Sequence, residues 1–202
     1  MPAAAPLAAD ACASIDARAG DRQDASAPGA DAEAIRMDAL PPEIRLVVPD
    51  TALLIDAARE ILRDYARSLP VDLSFQNFDG ELAALPGDYA APGGKLLLAW
   101  VDGELAACGA MRGLSEADYA NACEMKRPYV RPAFRRFGLG RLLAQSLLDE
   151  ARSAGYSVML LDTLDEMEAA RGLYTTLGFE EIPPYYFNPI PGAHYLKADL
   201  GR

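Results

Sequence analysis

The segment from Val130 to Leu143 constrains the fold of this chain more than any other stretch of its sequence. It leaves a predicted strand and turns through Gly138 and Gly140 into a predicted helix, whose apolar residues recur with the helical period: Leu139, Leu142, Leu143, Leu147 and Ala151. Glycines at such a turn leave backbone N–H groups uncovered, and a helix N-terminus carries free amides and a partial positive charge. The pattern therefore predicts an anion-binding turn.

Basic residues are concentrated around this turn although the protein as a whole is acidic. The net charge of the 202 residues is −11, yet the charged residues between 126 and 141 are all basic: Lys126, Arg127, Arg131, Arg135, Arg136 and Arg141. This local excess favours a multiply charged phosphate ligand. Each arginine taken singly is explained equally well as solvated surface. Elsewhere the sequence has no basic patch that would indicate binding to nucleic acid.

Two other phosphate-binding motifs do not fit the turn. A dinucleotide fingerprint needs a third glycine where Leu143 stands, and a P-loop needs a Gly-Lys-Ser/Thr sequence that is absent. The spacing Arg135-x-x-Gly138-x-Gly140 resembles instead the acetyl-CoA signature of the GNAT family of N-acetyltransferases. The segment Ala170–Phe179, which follows an apolar strand, resembles the second signature of that family.

The resemblance implies an α/β (α+β) fold in a single GNAT-type domain, with a mixed, mostly antiparallel central sheet and a parallel strand pair splayed around the acyl-CoA site. A length of 202 residues with 51% hydrophobic residues fits one domain with a substantial core. Residues 1–42 have no hydrophobic period and predict a disordered, acidic, Ala-rich tail. The N-acetyltransferase domain is therefore expected at residues 43–202.

Periodicity and turn signals predict the order of the elements. The predicted strands cover residues 44–48, 95–101, 104–111, 122–130, 157–163, 179–182 and 194–200. Helices are predicted after Asp50 or Thr51 with Leu53 on the buried face, near residues 81–85, over residues 139–153, and from Asp165 or Glu166 to Leu177. The dipeptide Asp102-Gly103 predicts a hairpin turn.

The cysteines and the hydropathy pattern predict a cytoplasmic protein without a metal. Cys12, Cys108 and Cys123 have no metal-ligand spacing and are expected to be reduced thiols. No apolar run is long enough to span a bilayer, so no membrane partner is expected. Members of the family are often dimers, and a homodimer remains open here.

The resemblance implies that acetyl-CoA is the cosubstrate and that the acceptor is an amine, expected to belong to a small molecule. The backbone amides of residues 136–141 would bind the pyrophosphate. The pantetheine arm would lie between strands 122–130 and 157–163 and pair with the first of them. The expected cofactor-binding residues are Tyr129, Val130, Arg135, Arg136, Phe137, Gly138, Leu139, Gly140 and Arg141.

Two residues are expected to carry the acid–base chemistry. Tyr174 matches the tyrosine with which many family members protonate the departing sulfur, and a free pKa of about 10 keeps its proton available at neutral pH. Its place on an apolar helix face also suits a core residue. Glu124 stands where histone-acetylating members carry a base, and either it deprotonates the amine or it merely pairs with Lys126 or Arg127.

Pro128 departs from the family pattern. Many members use a backbone N–H at this strand position to bind the thioester carbonyl, and proline has none. Either the N–H of Tyr129 takes its place or turnover is slow. The rival interpretations are a non-catalytic acyl-CoA-binding sensor, which Pro128 favours, and an acyltransferase that acts on a protein or peptide amine.

The acceptor site is predicted only coarsely. Aromatic and amide residues are expected at its rim, although the aromatic ones suit plain packing equally well: Phe75, Phe78, Tyr185, Tyr186 and Asn188. His194, the single histidine of the sequence, is expected to be structural.

Overall fold

A computed structural model describes residues 41–201 of the chain. All but the last two residues of the predicted tail, 1–42, lie outside this range, and so does Cys12. The described residues form a seven-stranded sheet in the order β1-β2-β3-β4-β5-β7-β6. The strands are β1 Ile44–Val47, β2 Lys95–Val101, β3 Glu104–Leu114, β4 Ala122–Val130, β5 Val158–Leu164, β6 Glu180–Ile182 and β7 Ala193–Asp199. The β4–β5 pair is parallel and the other pairs are antiparallel, which confirms the predicted fold class.

Four α-helices cover the two faces of the sheet: α1 Ala52–Ser68, α2 Phe78–Ala84, α3 Leu139–Ser153 and α4 Glu168–Thr176. The hydroxyl of Thr51 caps α1 by accepting the N–H of Leu54. The predicted hairpin is also present, because Asp102 and Gly103 both have positive φ, as a tight turn between twisted strands requires.

Two helix details differ from the sequence predictions. The side chain of Leu53 is 79% exposed, because the buried stripe of α1 runs through Ala58, Ile61 and Leu62 and the first turn lies beyond it. The helix predicted from Asp165 begins at Glu168. Asp165 stays in the preceding loop, since its N–H donates to the carbonyl of Gly192, 2.9 Å away.

The sheet has an apolar core on each face. Alternate residues of one strand point to opposite sides, so Leu97 packs under α3 whereas Leu98 packs under α1. The α3 cluster also contains Tyr174 and Phe179, and the α1 cluster contains Phe78. Because both faces are covered, the central strands read as nearly continuous apolar runs.

The sheet opens between β4 and β5. Their pairing is confined to Ala122–Glu124 against Val158–Leu160, and further along the two strands diverge. A bulge lies on the diverging part of β4, where Cys108 pairs with Tyr129 but Ala110 pairs with Lys126. This count leaves two residues of β4, 127 and 128, opposite one residue of β3. A proline fits here because a bulged residue is not required to donate to the ladder.

The single histidine connects the start of β7 to two neighbouring segments. The Nε2 atom of His194 lies 2.5 Å from Oδ1 of Asp165, and its Nδ1 atom lies 2.7 Å from Oε1 of Glu181 on β6. The hydrogen bonds to Asp165 and Glu181 raise the pKa of His194, and Arg171 opposes them. The bond to His194 likewise lowers the pKa of Asp165.

We expect this arrangement to make stability depend on pH. A histidine whose pKa is raised by folding stabilises the protein fully below its unfolded pKa of about 6.5, and this contribution is lost as the pH rises through the folded value. The urea midpoint of the wild type should therefore exceed that of His194→Gln at pH 6, and the difference should shrink at pH 9. An equal difference at both pH values would contradict an ionic role for His194.

Candidate active site

The divergence of β4 and β5 creates a cleft that passes through the sheet. Its empty space, including the open mouth, is about 640 Å³. Met125–Pro128 of β4 and Asp162–Leu164 of β5 form its sides. The end of α1 and residues 69–76 wall it on one face of the sheet, and α4 walls it on the other. Two opposite faces of the sheet thus give access to one interior gap.

The predicted phosphate turn lies at the N-terminus of α3. A 3₁₀ turn, Pro132–Phe137, leads into Gly138, whose φ of 70° is in the left-handed region that favours glycine. The first helical bond of α3 runs from the N–H of Leu142 to the carbonyl of Gly138, and no side chain caps the helix. The N–H groups of residues 139–141 therefore have no hydrogen-bond acceptor among the described residues.

Space and charge at this turn are compatible with an anion. A Cβ placed on Gly138 would meet no atom within 4 Å, so the bend is not filled by the protein's own side chains. Three basic side chains at the turn form no ion pair with any carboxylate of residues 41–201: Arg135, Arg136 and Arg141. Arg141 donates instead to the hydroxyl of Thr176, at 2.7 Å.

The remaining basic residues of the run serve the fold. The guanidinium of Arg131 bonds Glu60 and Asp64 of α1, each with a contact of 2.6 Å. Arg127 has a positive φ of 59°, and this backbone geometry occurs at the bulge. Its Nε and Nη2 atoms donate to Glu81 at 3.0 and 2.7 Å, and Nη1 donates to Gln76 at 2.8 Å. The bulge is thereby fastened to α2 by a buried ion pair.

Tyr174 reaches the cleft from α4. The residue is only 5% exposed, and its ring packs edge-on against Phe179, with 5.6 Å between the centroids. The hydroxyl forms no hydrogen bond with any other described residue. Burial raises the pKa of Tyr174 well above its ordinary value, with smaller contributions from Tyr65 and Asp162, so the phenol keeps its proton at neutral pH.

Glu124 is buried within a network of donors. The residue is 2% exposed, and its Oε2 atom accepts the Nε and Nη2 atoms of Arg112 at 3.0 and 2.9 Å. Its Oε1 atom accepts the hydroxyl of Tyr185 at 2.9 Å and lies 3.5 Å from Nζ of Lys126. A structural Glu124 was expected to pair with Lys126 or Arg127. It contacts Lys126, whereas Arg127 pairs with Glu81.

Asp162 is a second carboxylate at the cleft. It is not among the site residues predicted from the sequence. It lies on the wall of the cleft, and its Oδ1 atom is 3.4 Å from Nζ of Lys126. Burial raises the pKa of Tyr186, and so do the charge of Asp162 and a hydrogen bond to it. The available signal was a single acid within the apolar run Ser157–Thr163, where a charge is costly unless it is paired or used.

The predicted rim residues occupy different environments. Asn188 lies on the cleft wall and donates to the hydroxyl of Tyr186 at 3.2 Å. Tyr185 does not line the cleft, and its hydroxyl donates a hydrogen bond to Glu124. Phe78 is buried in the α1 cluster, where the guanidinium of Arg127 stacks 5.3 Å from its ring centroid, and Phe75 is 39% exposed.

The fold and the site together agree with one protein family. The profile of the acetyltransferase (GNAT) family matches residues 55–179, which include β2 to β5, the phosphate turn and Tyr174. An N-acetyltransferase of Schizosaccharomyces pombe is 37% identical over 149 residues, or 73% of this chain and 90% of the relative. The chain belongs to the GNAT family. This GNAT protein is accordingly an acyltransferase.

Solved structures agree with the fold of this GNAT protein. A GNAT-family acetyltransferase of Staphylococcus aureus has a TM-score of 0.64 at 17% identity, covering 79% of this chain and 100% of the other. A putative acetyltransferase of Salmonella typhimurium, solved with its cofactor acetyl-CoA, has a TM-score of 0.55 at 22% identity, covering 78% and 94%.

Residues 41–201 contain neither a membrane-spanning helix nor a cluster of metal ligands. None of the helices described there has the length and apolar character needed to cross a lipid bilayer. In the same range, no three His, Cys, Asp or Glu side chains are grouped so that they could hold a metal ion.

Proposed function

We propose that this protein transfers the acetyl group of acetyl-CoA to the amine of a small molecule. The observation that carries the proposal is a cleft lined by a protonated phenol and a carboxylate, with an uncapped helix N-terminus beside it. A Cβ on Gly140 of that helix would lie 3.6 Å from Leu173 of α4 and 3.9 Å from Val130 of β4. The family, the N-acetyltransferase relative and the acetyl-CoA complex of the Salmonella protein support the same cosubstrate. The N–H groups of residues 139–141 bind the pyrophosphate, and the uncovered edge of β4 near Tyr129 and Val130 pairs with the pantetheine arm.

The two substrates enter from opposite faces of the sheet. Tyr174 belongs to the cluster beneath α3 and α4, so it faces the cofactor. On β5, Met159 and Leu161 point into that same cluster, and alternation therefore directs Asp162 to the α1 face. The bound ammonium first gives one proton to the carboxylate, which passes it to solvent, and the neutral nitrogen then attacks the thioester carbonyl. The C–N bond forms as the C–S bond breaks, the nitrogen gives its second proton to the carboxylate, and the departing sulfur takes the proton of Tyr174, which is restored from solvent.

A covalent route through cysteine is disfavoured. Cys123 and Cys108 are buried, and burial raises the pKa of each thiol to about 12. Only a thiolate is an effective nucleophile, so neither side chain is activated at neutral pH. Direct attack by the amine is therefore the favoured route.

Of the two carboxylates, the geometry favours Asp162 as the base. Asp162 lines the cleft, with Lys126 at 3.4 Å and the hydroxyl of Tyr186 as its polar neighbours. Glu124 does not line the cleft, and its two oxygens accept hydrogen bonds from Arg112 and Tyr185. Glu124 remains the base expected from the sequence. If Glu124 is not the base, its role is structural: it holds Arg112, Lys126 and Tyr185 in place beside the cleft.

A non-catalytic acyl-CoA sensor is the second candidate, and Pro128 is the observation that favours it. Pro128 lies in the cleft wall at the bulge and offers no N–H to a thioester carbonyl. The following residue, Tyr129, supplies the next N–H of the strand. Release of free CoA in the presence of an amine distinguishes the enzyme from the sensor.

The cofactor site is tested by changing one glycine at each end of α3. Gly138→Val places a branched side chain at positive φ beside the free amides and should weaken acetyl-CoA binding about tenfold or more, measured by calorimetry. Gly155→Val is the matched control, because Gly155 has a φ of 86° at the other end of the helix and open space around its Cβ. It should cost similar stability and leave affinity unchanged. Equal losses of affinity would argue against binding at the turn.

The acid is tested by removing one hydroxyl. Tyr174→Phe should lower kcat about a hundredfold and leave the affinity for acetyl-CoA unchanged, because the phenol acts only on the departing sulfur. Tyr156→Phe is the control, since its hydroxyl donates to the carbonyl of Gly93 and not to a cleft residue. Full kcat in Tyr174→Phe would rule out this residue as the acid.

The base is tested by a pair of isosteric substitutions. Asp162→Asn should lower kcat/KM about a hundredfold with little change in the urea midpoint. Glu124→Gln should mainly lower the urea midpoint, because it removes the buried carboxylate that pairs with both Arg112 and Lys126. The reverse pattern, with activity lost in Glu124→Gln and kept in Asp162→Asn, would assign the base to Glu124.

A further inference from the structure

The acceptor side of the cleft has apolar walls. On the α1 face, three of the lining residues that follow α1 are apolar, Leu69, Val71 and Leu73, and Ile190 closes the cleft from the loop between β6 and β7. The polar residue of this segment, Gln76, accepts a hydrogen bond from Arg127 through its Oε1 atom. None of the four apolar side chains offers a hydrogen bond. A substrate group that lies against them gains by being apolar, since an uncompensated polar group is penalised on burial.

The basic side chains of the cleft are already engaged. Arg127 donates through three nitrogens to Glu81 and Gln76, so its charge is neutralised within the protein. Lys126 lies between two carboxylates, 3.5 Å from Glu124 and 3.4 Å from Asp162. A carboxylate on the substrate would therefore meet acidic groups beside each of these cations.

The carboxylate of Asp162 can accept further hydrogen bonds. A carboxylate has room for about four donors, and Asp162 has two as neighbours, Nζ of Lys126 at 3.4 Å and the hydroxyl of Tyr186. A single ammonium group can therefore bind Asp162. A second ammonium further out would lie against the apolar side chains of Leu69, Val71, Leu73 and Ile190.

Resting on the proposed function, we propose that the acceptor is a primary monoamine with an apolar body and no carboxylate. Its ammonium group binds Asp162 before it loses a proton, and its apolar body lies against Leu69, Val71 and Leu73. Free amino acids and polyamines are disfavoured, because the former bring a carboxylate and the latter a second ammonium into the apolar part of the cleft.

The experiment compares three amines in a thiol-release assay with saturating acetyl-CoA. The probes are 2-phenylethylamine, phenylalanine, which adds only a carboxylate to it, and spermidine. We expect kcat/KM for 2-phenylethylamine to exceed that for each of the others by about tenfold or more. Equal or higher values for phenylalanine or spermidine would overturn the proposal.

A variant of the wall provides the reciprocal test. Val71→Arg places a cation on the acceptor wall and should raise kcat/KM for phenylalanine relative to 2-phenylethylamine. Val48→Arg, at an exposed position outside the cleft, should leave this ratio unchanged. A ratio that does not respond to Val71→Arg would contradict the assigned wall.

Calorimetry with acetyl-CoA distinguishes a wrong acceptor class from a wrong cofactor site. If the cofactor binds but none of the three amines releases CoA, the acceptor class is wrong and the cofactor site stands. If acetyl-CoA does not bind to the folded protein, the proposed function fails and the acceptor class fails with it.

Discussion

The cleft exists because β4 and β5 stop pairing after three residue pairs, and the bulge at Arg127 and Pro128 keeps them apart. A positive φ at a non-glycine residue is unfavourable, so the surrounding contacts must hold Arg127 in place. The guanidinium does so by bonding Glu81 and Gln76 and by stacking on Phe78. Removing one partner of such a buried pair leaves a charge uncompensated, which costs roughly 3–5 kcal/mol. The gap between β4 and β5 therefore depends on the contacts that Arg127 makes with Glu81, Gln76 and Phe78.

A second set of contacts fixes the two ends of the cleft relative to the helices. Arg131, just after β4, bonds Glu60 and Asp64 and so connects the start of the phosphate turn to α1. Inside the sheet, Arg112, Glu124, Lys126 and Asp162 form a continuous chain of alternating charge. Each charge in this network has at least one partner of opposite sign, which offsets the cost of burying it. The charges of the site are thus part of the fold as well as of its chemistry.

The sequence predicted the fold well where periodicity and turn chemistry agree. The strand order around the phosphate turn, the hairpin at Asp102-Gly103, and the bounds of β4 and α3 were all legible from local patterns. The contacts inside the site were harder to predict, since the side chains that meet there are far apart in the sequence. Arg112 and Tyr185 meet at Glu124, and no local pattern places them together. The bulge was in principle predictable from a proline within a central strand.

The divergence of the strands has one more consequence, for association between molecules. It creates two strand edges within a sheet, along residues 125–130 of β4 and residues 161–164 of β5. Unpaired edges normally recruit strands from other chains and so promote aggregation. Here the end of α1 and residues 69–76 stand over one face of the gap, and α4 stands over the other. A slender extended ligand can reach these edges, whereas a whole strand of a neighbouring molecule meets the helices first.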